Sequence, residues 1–186
     1  MQPGDFPRRV SGRSVLDLRA RLPQKGTVTW IGLRSAPRGP VRVVAAAEAH
    51  EEHGLVGDHF RGGLDSRRQV TLIQEEHLYV VGRFLRLSDD ADPEFARRNL
   101  VVRGVNLLAL VGARFSVGKA LLEGTDVCEP CHRMEEGFGL GGYNAMRGHG
   151  GITARVIRSG WIKVGNAVTL AGLCPSSELK NWHAIP

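Results

Sequence analysis

Cysteine is scarce in this 186-residue chain, which has three. That is too few for the disulfide framework of a small secreted domain. Lysine is scarce as well. Lysine and arginine together number 25, yet only Lys25, Lys119, Lys163 and Lys180 are lysines, so arginine carries most of the basic charge. No apolar run approaches the ~20 residues of a membrane-spanning helix. The first 21 residues lack the apolar stretch of a secretory signal peptide, so a cytoplasmic protein with no membrane partner is expected. Aromatic residues make up 6% of the chain, and no aromatic stripe accompanies the arginines. The formal net charge is +6, but acidic residues interleave with the basic ones. That pattern speaks for a solvated basic surface and against nucleic acid as a partner. Guanidinium forks suit phosphate and carboxylate groups, so a phosphate-bearing small molecule stays compatible with it. The length suits one compact domain with short tails.

What the chain does have is many short β-forming segments. Residues 26–33 alternate and are rich in β-formers, which reads as a first strand. Residues 41–47 and 69–73 read as further strands. Leu78, Val81, Phe84 and Leu85 fall at helical spacing and predict an amphipathic helix over 74–87. Asp92-Pro93 has the form of an N-cap followed by proline at the first helical position. Residues 100–102, 112–117 and 120–127 read as strands. Residues 152–158 and 161–170 are expected to form a hairpin around Ser159-Gly160. Short strands, glycine turns, few helices and no β-α-β rhythm give a mainly β fold, a barrel or sandwich carrying inserted helices. The expected division is an N-terminal extension over 1–25, a domain over 26–170 and a C-terminal tail over 171–186.

Cys128-Glu129-Pro130-Cys131-His132 is the densest chemistry in the chain. C-x-x-C-H is the signature of c-type haem attachment, but that needs export to an oxidising compartment. A thioredoxin-like pair would open a long helix, and the glycine-rich run 137–142 breaks one. Structural zinc wants four ligands, and the remaining cysteine, Cys174, is isolated. A single reactive or metal-binding thiolate, or two packed free cysteines, are the other readings. His50-Glu51-Glu52-His53 spaces its histidines at i and i+3, not the i and i+4 of a metalloprotease helix, so it reads as a solvated turn. In Gly54-Leu55-Val56-Gly57-Asp58-His59, Gly57 can supply a positive φ. Asp58 and His59 can ligate, orient or accept a proton, or Asp58 can cap a turn.

Taken in order, Gly54 to His59, Arg67-Arg68-Gln69-Val70, Arg97-Arg98-Asn99-Leu100, Gly104-Val105-Asn106-Leu107, Cys128 to Cys131 and Arg147-Gly148-His149-Gly150-Gly151 resemble a MOSC domain. This is the C-terminal domain of molybdenum cofactor sulfurases, which also occurs alone. The resemblance implies a MOSC-type β-barrel with a few inserted helices. It also implies association with the molybdenum cofactor (molybdopterin), a pterin dithiolene bearing a phosphate. In related amidoxime-reducing enzymes a cysteine thiolate of this motif binds molybdenum. The resemblance carries that metal-ligand role to Cys131, with Cys128 secondary. Arg97 and Asn99 correspond to an Arg-x-Asn segment beside the cofactor. Arg67, Gly57 and His59 are further cofactor-binding candidates, and Asp58 and His132 are candidates for proton delivery. The implied activity is an oxidoreductase acting on a small N-hydroxylated substrate, served by an electron-donor protein. The alternatives are a sulfur carrier that takes a persulfide on Cys131 from a sulfur donor, and a binding module with inert cysteines. Pyridoxal phosphate is not expected, because no aminotransferase-like domain accompanies the match. The multidomain relatives carry an additional N-terminal β domain that contributes cofactor contacts, and Asn166 stands where the family often has Asp. The oligomeric state is left open, a homodimer included.

Overall fold

The computed structural model describes residues 14–174. Residues 1–13 of the expected extension and 175–186 of the expected tail lie outside the described residues. A short helix, α1 (Val15–Arg19), precedes strand β1 (Gly26–Leu33). Strict alternation would put Val28 and Trp30 on one face of β1. A register shift between them breaks the alternation. Val28 and Ile31 therefore both enter the main core, while Trp30 packs on a second apolar cluster. One bulge lets a single strand serve two cores.

The chain continues through β2 (Arg42–Val43), β3 (Ala46–His50), β4 (Gly54–Leu55) and β5 (Val70–Gln74). Helices α2 (Glu75–Phe84) and α3 (Pro93–Ala96) lead to β6 (Leu100–Arg103). Next come β7 (Ala113–Val117), β8 (Ala120–Val127), α4 (His132–Phe138) and α5 (Gly142–Met146). Strands β9 (Ile152–Arg158), β10 (Gly160–Lys163) and β11 (Ala167–Leu173) complete the described chain.

Seven strands close into a barrel in the order β11-β7-β8-β9-β5-β6-β1, sealed by pairing of β1 with β11. Closure leaves those strands without free edges. Strand β2 pairs with Gly32 and Leu33 at the far end of β1, past its β11 pairing at Gly26 and Thr27, and β10, β3 and β4 form a separate small sheet. Alternate residues of β5 and β6 explain the two cores. Leu72, Leu100 and Val102 face the barrel interior, whereas Ile73 and Val101 join Leu78, Val81, Met134 and Met146 beneath the helices. The mainly β barrel with a few helices agrees with expectation. No helix among the described residues is long and apolar enough to cross a membrane.

Three details differ from the sequence reading. Segments 152–158 and 161–170 do not form a hairpin. Strand β9 pairs with β5 and β8, β10 pairs with β3, and β11 pairs with β7 and β1. The reason is local: the Ser159 amide donates to Glu51 Oε1 and the Ser159 hydroxyl accepts from Glu51 N, so the supposed turn is tied to the β3–β4 turn. A Cβ on Gly160 would also press on the Lys119 backbone. Second, the strand expected over 41–47 is broken, with β2 and β3 in different sheets. Third, the described residues include a β-α-β unit. Strands β5 and β6 are parallel, and parallel neighbours need a crossover, here supplied by α2 and α3. The helical expectations hold better. Helix α2 lies inside 74–87, and Asp92 Oδ1 accepts from Glu94 N at 2.8 Å with Pro93 opening α3.

Candidate functional site

At one end of the barrel the α3–β6 junction, the 56–60 loop, the start of β5 and the cysteine loop enclose a cleft of about 310 Å³. Asp58, His59, Arg97, Asn99 and Cys131 all line it. Five of the residues singled out from sequence are therefore brought together from three separate segments.

Each is held by an identifiable local cause. Helix α3 stops because Arg97 adopts a left-handed conformation, φ 57°. That region disfavours non-glycine residues, and such strain concentrates at functional sites. Asn99 opens β6. Its Oδ1 accepts from Thr71 N at 3.0 Å and Thr71 Oγ1 at 2.9 Å, and Nδ2 donates to Gly32 O at 3.4 Å. The side chain thus joins β5, β6 and β1 at the cleft floor, with one Nδ2 proton to spare. Asp58 Oδ1 accepts from Arg34 N at 2.7 Å, which fixes the loop after β4 to the end of β1. His59 Nδ1 lies 3.2 Å from Arg34 O. A carbonyl can only accept, so Nδ1 carries the proton and Nε2 is left basic. Cys131 is exposed and sits at the start of α4, with its side chain making no capping hydrogen bond.

The other sequence candidates stand outside the cleft. Cys128 is fully buried, and its sulfur receives Arg68 Nη2 at 3.1 Å. Arg67 is turned to the barrel wall, where Nη2 donates to Thr125 O at 2.7 Å and the Thr125 hydroxyl donates back to Arg67 O. The His132 side chain is 71% exposed and lies 3.6 Å from Glu136. Gly57 does have a positive φ, 90°, and shapes the loop that presents Asp58 and His59. His50 and His53 stack in the β3–β4 turn. Among the described residues, no three His, Cys, Asp or Glu side chains gather as a metal cluster.

Sequence reasoning missed the arginines that dominate the cleft. Arg34, Arg68, Arg98 and Arg133 line it with Arg97, against only two carboxylates, Asp58 and Glu129. Arg34 is buried, and Nη2 donates to Glu94 O at 2.9 Å. Burial and then the charge of Arg97 bring its pKa down to about 10, with Asp58 and Glu94 pulling the other way. Burial and then Arg133 lower that of Arg97, with Cys131 opposing. These guanidinium groups repel one another and stay charged at neutral pH. Nothing in linear spacing announces this cluster, since its members are spread from β1 to α4.

The family model of the MOSC domain matches residues 47–169. The chain belongs to the MOSC domain family. Solved structures agree on the fold. The YUAD protein of Bacillus subtilis is 16% identical with a TM-score of 0.68, over 81% of this chain and 98% of that one. YiiM from Geobacillus stearothermophilus is 17% identical with a TM-score of 0.63, over 78% of this chain and 75% of that one. YiiM from Escherichia coli is 19% identical with a TM-score of 0.60, over 86% of this chain and 79% of that one. No curated protein sequence matches the chain. MOSC domains can bind the molybdenum cofactor, and the cleft is where this family member gathers its thiol and its cations.

Proposed function

We propose that this MOSC protein binds the molybdenum cofactor in the Cys131 cleft and acts as an oxidoreductase on small N-hydroxylated compounds. One observation carries the reading: the exposed Cys131 thiol opens into the same cleft as five guanidinium groups. A thiolate is a soft donor suited to a soft metal, and guanidinium forks suit a phosphate. The residues fit the cofactor in a second respect. Arg34 Nε is buried without a hydrogen-bond partner. Leaving such a donor unsatisfied costs about 1–3 kcal/mol, and an anionic oxygen placed against it supplies the missing acceptor.

In this reading Cys131 ligates the metal, and Arg34, Arg97 and Arg133 hold the phosphate. The spare Nδ2 proton of Asn99 orients the pterin. When bound, the cofactor supplies a metal that changes oxidation state and accepts an oxygen atom. His59, with Nδ1 on Arg34 O at 3.2 Å and 3.8 Å from Asp58, is the proton-handling group of the cleft. With two electrons from a donor protein and a second proton from solvent, a proton passed on by His59 would let the substrate oxygen leave as water. His132, outside the cleft, is replaced by His59 in this role.

The test is metal content of protein made in a cofactor-competent host. Cys131→Ala is expected to cut bound molybdenum by about tenfold or more, with the fold unchanged by circular dichroism. A full equivalent of molybdenum in the variant refutes the ligand assignment. Metal-free parent protein carrying one extra sulfur on Cys131 by intact mass would instead support the sulfur-carrier reading.

A further inference from the structure

We propose a second ligand site, separate from the Cys131 cleft, for a planar-ring phosphate of the nucleotide kind. It lies in a groove of about 810 Å³ between the outer wall of the barrel and the small sheet. That volume falls in the range of small-molecule sites. The groove shares no lining residue with the cleft.

The floor comes from the barrel. Ser116 on β7 and Thr169 on β11 are register partners, and their hydroxyls meet at 2.6 Å. The jaw comes from β10, where the two-residue period puts Trp161 and Lys163 on one face and buries Ile162 on the other. The turn between β7 and β8 brings Lys119. It is pinned in place, because Lys119 N donates to Trp161 O at 3.1 Å and Gly118 N to Ala167 O at 3.3 Å. Gly118 has φ 58°, and a Cβ there would run into Asn166 Oδ1. The walls are therefore backbone-fixed rather than made of mobile side chains.

Chemistry selects the occupant. Lys119 and Lys163 are two of the chain's four lysines, and neither forms an ion pair among the described residues. Glu48, opposite Trp161 in register, is the carboxylate on that face, and no ion pair joins it to either lysine. Trp161 is 49% exposed. An exposed indole offers a stacking face for a planar ring. Two ammonium groups beside it act as point charges for a phosphate. The hydroxyl pair on the floor can hydrogen-bond a sugar. Ring, charge and hydroxyl recognition together describe a nucleoside monophosphate.

Isothermal titration calorimetry of the full chain with adenosine monophosphate, flavin mononucleotide, adenosine and inorganic phosphate tests this. At least one nucleotide is expected to bind saturably, with adenosine and phosphate each weaker by about tenfold or more. Lys163→Glu and Trp161→Ala, both at exposed positions, should each weaken that nucleotide by about tenfold. Cys131→Ala should leave it unchanged, which separates this site from the proposed cofactor cleft. Absence of saturable nucleotide binding overturns the proposal. So does phosphate binding as tightly as the nucleotides, or nucleotide affinity that falls with Arg97→Glu and not with Lys163→Glu.

Discussion

Replacing Arg98 with methionine keeps an unbranched side chain of similar reach and removes three donors. Arg98 is 4% exposed. Its Nε donates to Gly150 O at 2.7 Å, Nη1 to Ala96 O at 2.8 Å and Nη2 to Cys128 O at 3.0 Å. The three carbonyls belong to the end of α3, the glycine loop before β9 and the cysteine loop, so one guanidinium joins the segments that frame the cleft. Hydrogen bonds from a charged donor contribute about 1.5–3 kcal/mol each, or about 4.5–9 kcal/mol if they simply added. Holding a cation inside opposes this. Burial lowers the Arg98 pKa; Cys128 counteracts the shift and Arg68 reinforces it. The desolvation cost of a buried ion is several kcal/mol, so the net loss on removing it and stranding three carbonyls is about 3–5 kcal/mol. That is a large part of the roughly 5–15 kcal/mol that holds a typical domain together. Urea unfolding followed by circular dichroism reads the loss. Hydrogen exchange adds a local readout, because Cys128 N donates to Gly151 O at 2.8 Å and should lose protection first. Arg98→Lys keeps the charge but cannot fork to three carbonyls, and should fall between parent and methionine. If the methionine variant stays within about 0.5 kcal/mol of the parent, Arg98 does not clamp the site and the reasoning fails.

Two glycines of the loop before β9 should behave oppositely. Gly151 has φ 81°, and a Cβ there would strike Leu72 O; Gly151→Ala is expected to abolish soluble expression or cost more than about 3 kcal/mol in urea. Gly148 has φ 76° with open space around it, so Gly148→Ala should cost only the left-handed strain of about 1–2 kcal/mol. Equal effects would contradict the packing argument. The half-buried pair His77 and His149, with ring centroids 4.9 Å apart, predicts acid sensitivity. Burial and then His149 lower the His77 pKa below its ordinary 6.5, with a backbone hydrogen bond and Glu76 opposing. The unfolded chain then binds the proton first, so stability is present above pH 6.5 and is lost as pH falls below it. Melting temperature should drop between about pH 7 and about pH 5, and His77→Gln should flatten that slope. An unaltered slope in the variant would assign the sensitivity elsewhere.

Local rules made the strands legible because burial on a barrel wall imposes alternation. They also located Asp92 as a cap, since a carboxylate followed by proline has few other uses. Pairing was not legible. The choice between a β9–β10 hairpin and separate sheets is made by Glu51 reaching Ser159, a contact more than a hundred residues away in sequence. Arg97 and Arg98 show the same limit at the site. They are adjacent, identical in type and both line the cleft, yet Arg97 is half-buried at the left-handed end of α3 while Arg98 is buried as a clamp. Cys128 and Cys131 divide likewise, one sealed against Arg68 and one exposed. Spacing found the pairs, the family resemblance singled out Cys131 and Arg97, and tertiary closure brings those two to the cleft.

The arginine crowding links stability to ligand chemistry. A fall in the Arg34 pKa from its ordinary value to about 10 means that the charged group sits in the fold at a disadvantage. At about 1.4 kcal/mol per pK unit, the disadvantage is on the order of 3 kcal/mol. Because the folded pKa lies below the unfolded one, the loss is in full force at neutral pH, where both states are protonated. A well-packed neutral side chain would remove it, so stability alone does not account for the residue. An anion held between Arg34, Arg97 and Arg133 reverses the sign, since each guanidinium gains an opposite charge and Arg34 Nε an acceptor. Ligand that binds only the folded state adds its own stabilisation. Under the proposed function, an anion in the cleft would offset that cost.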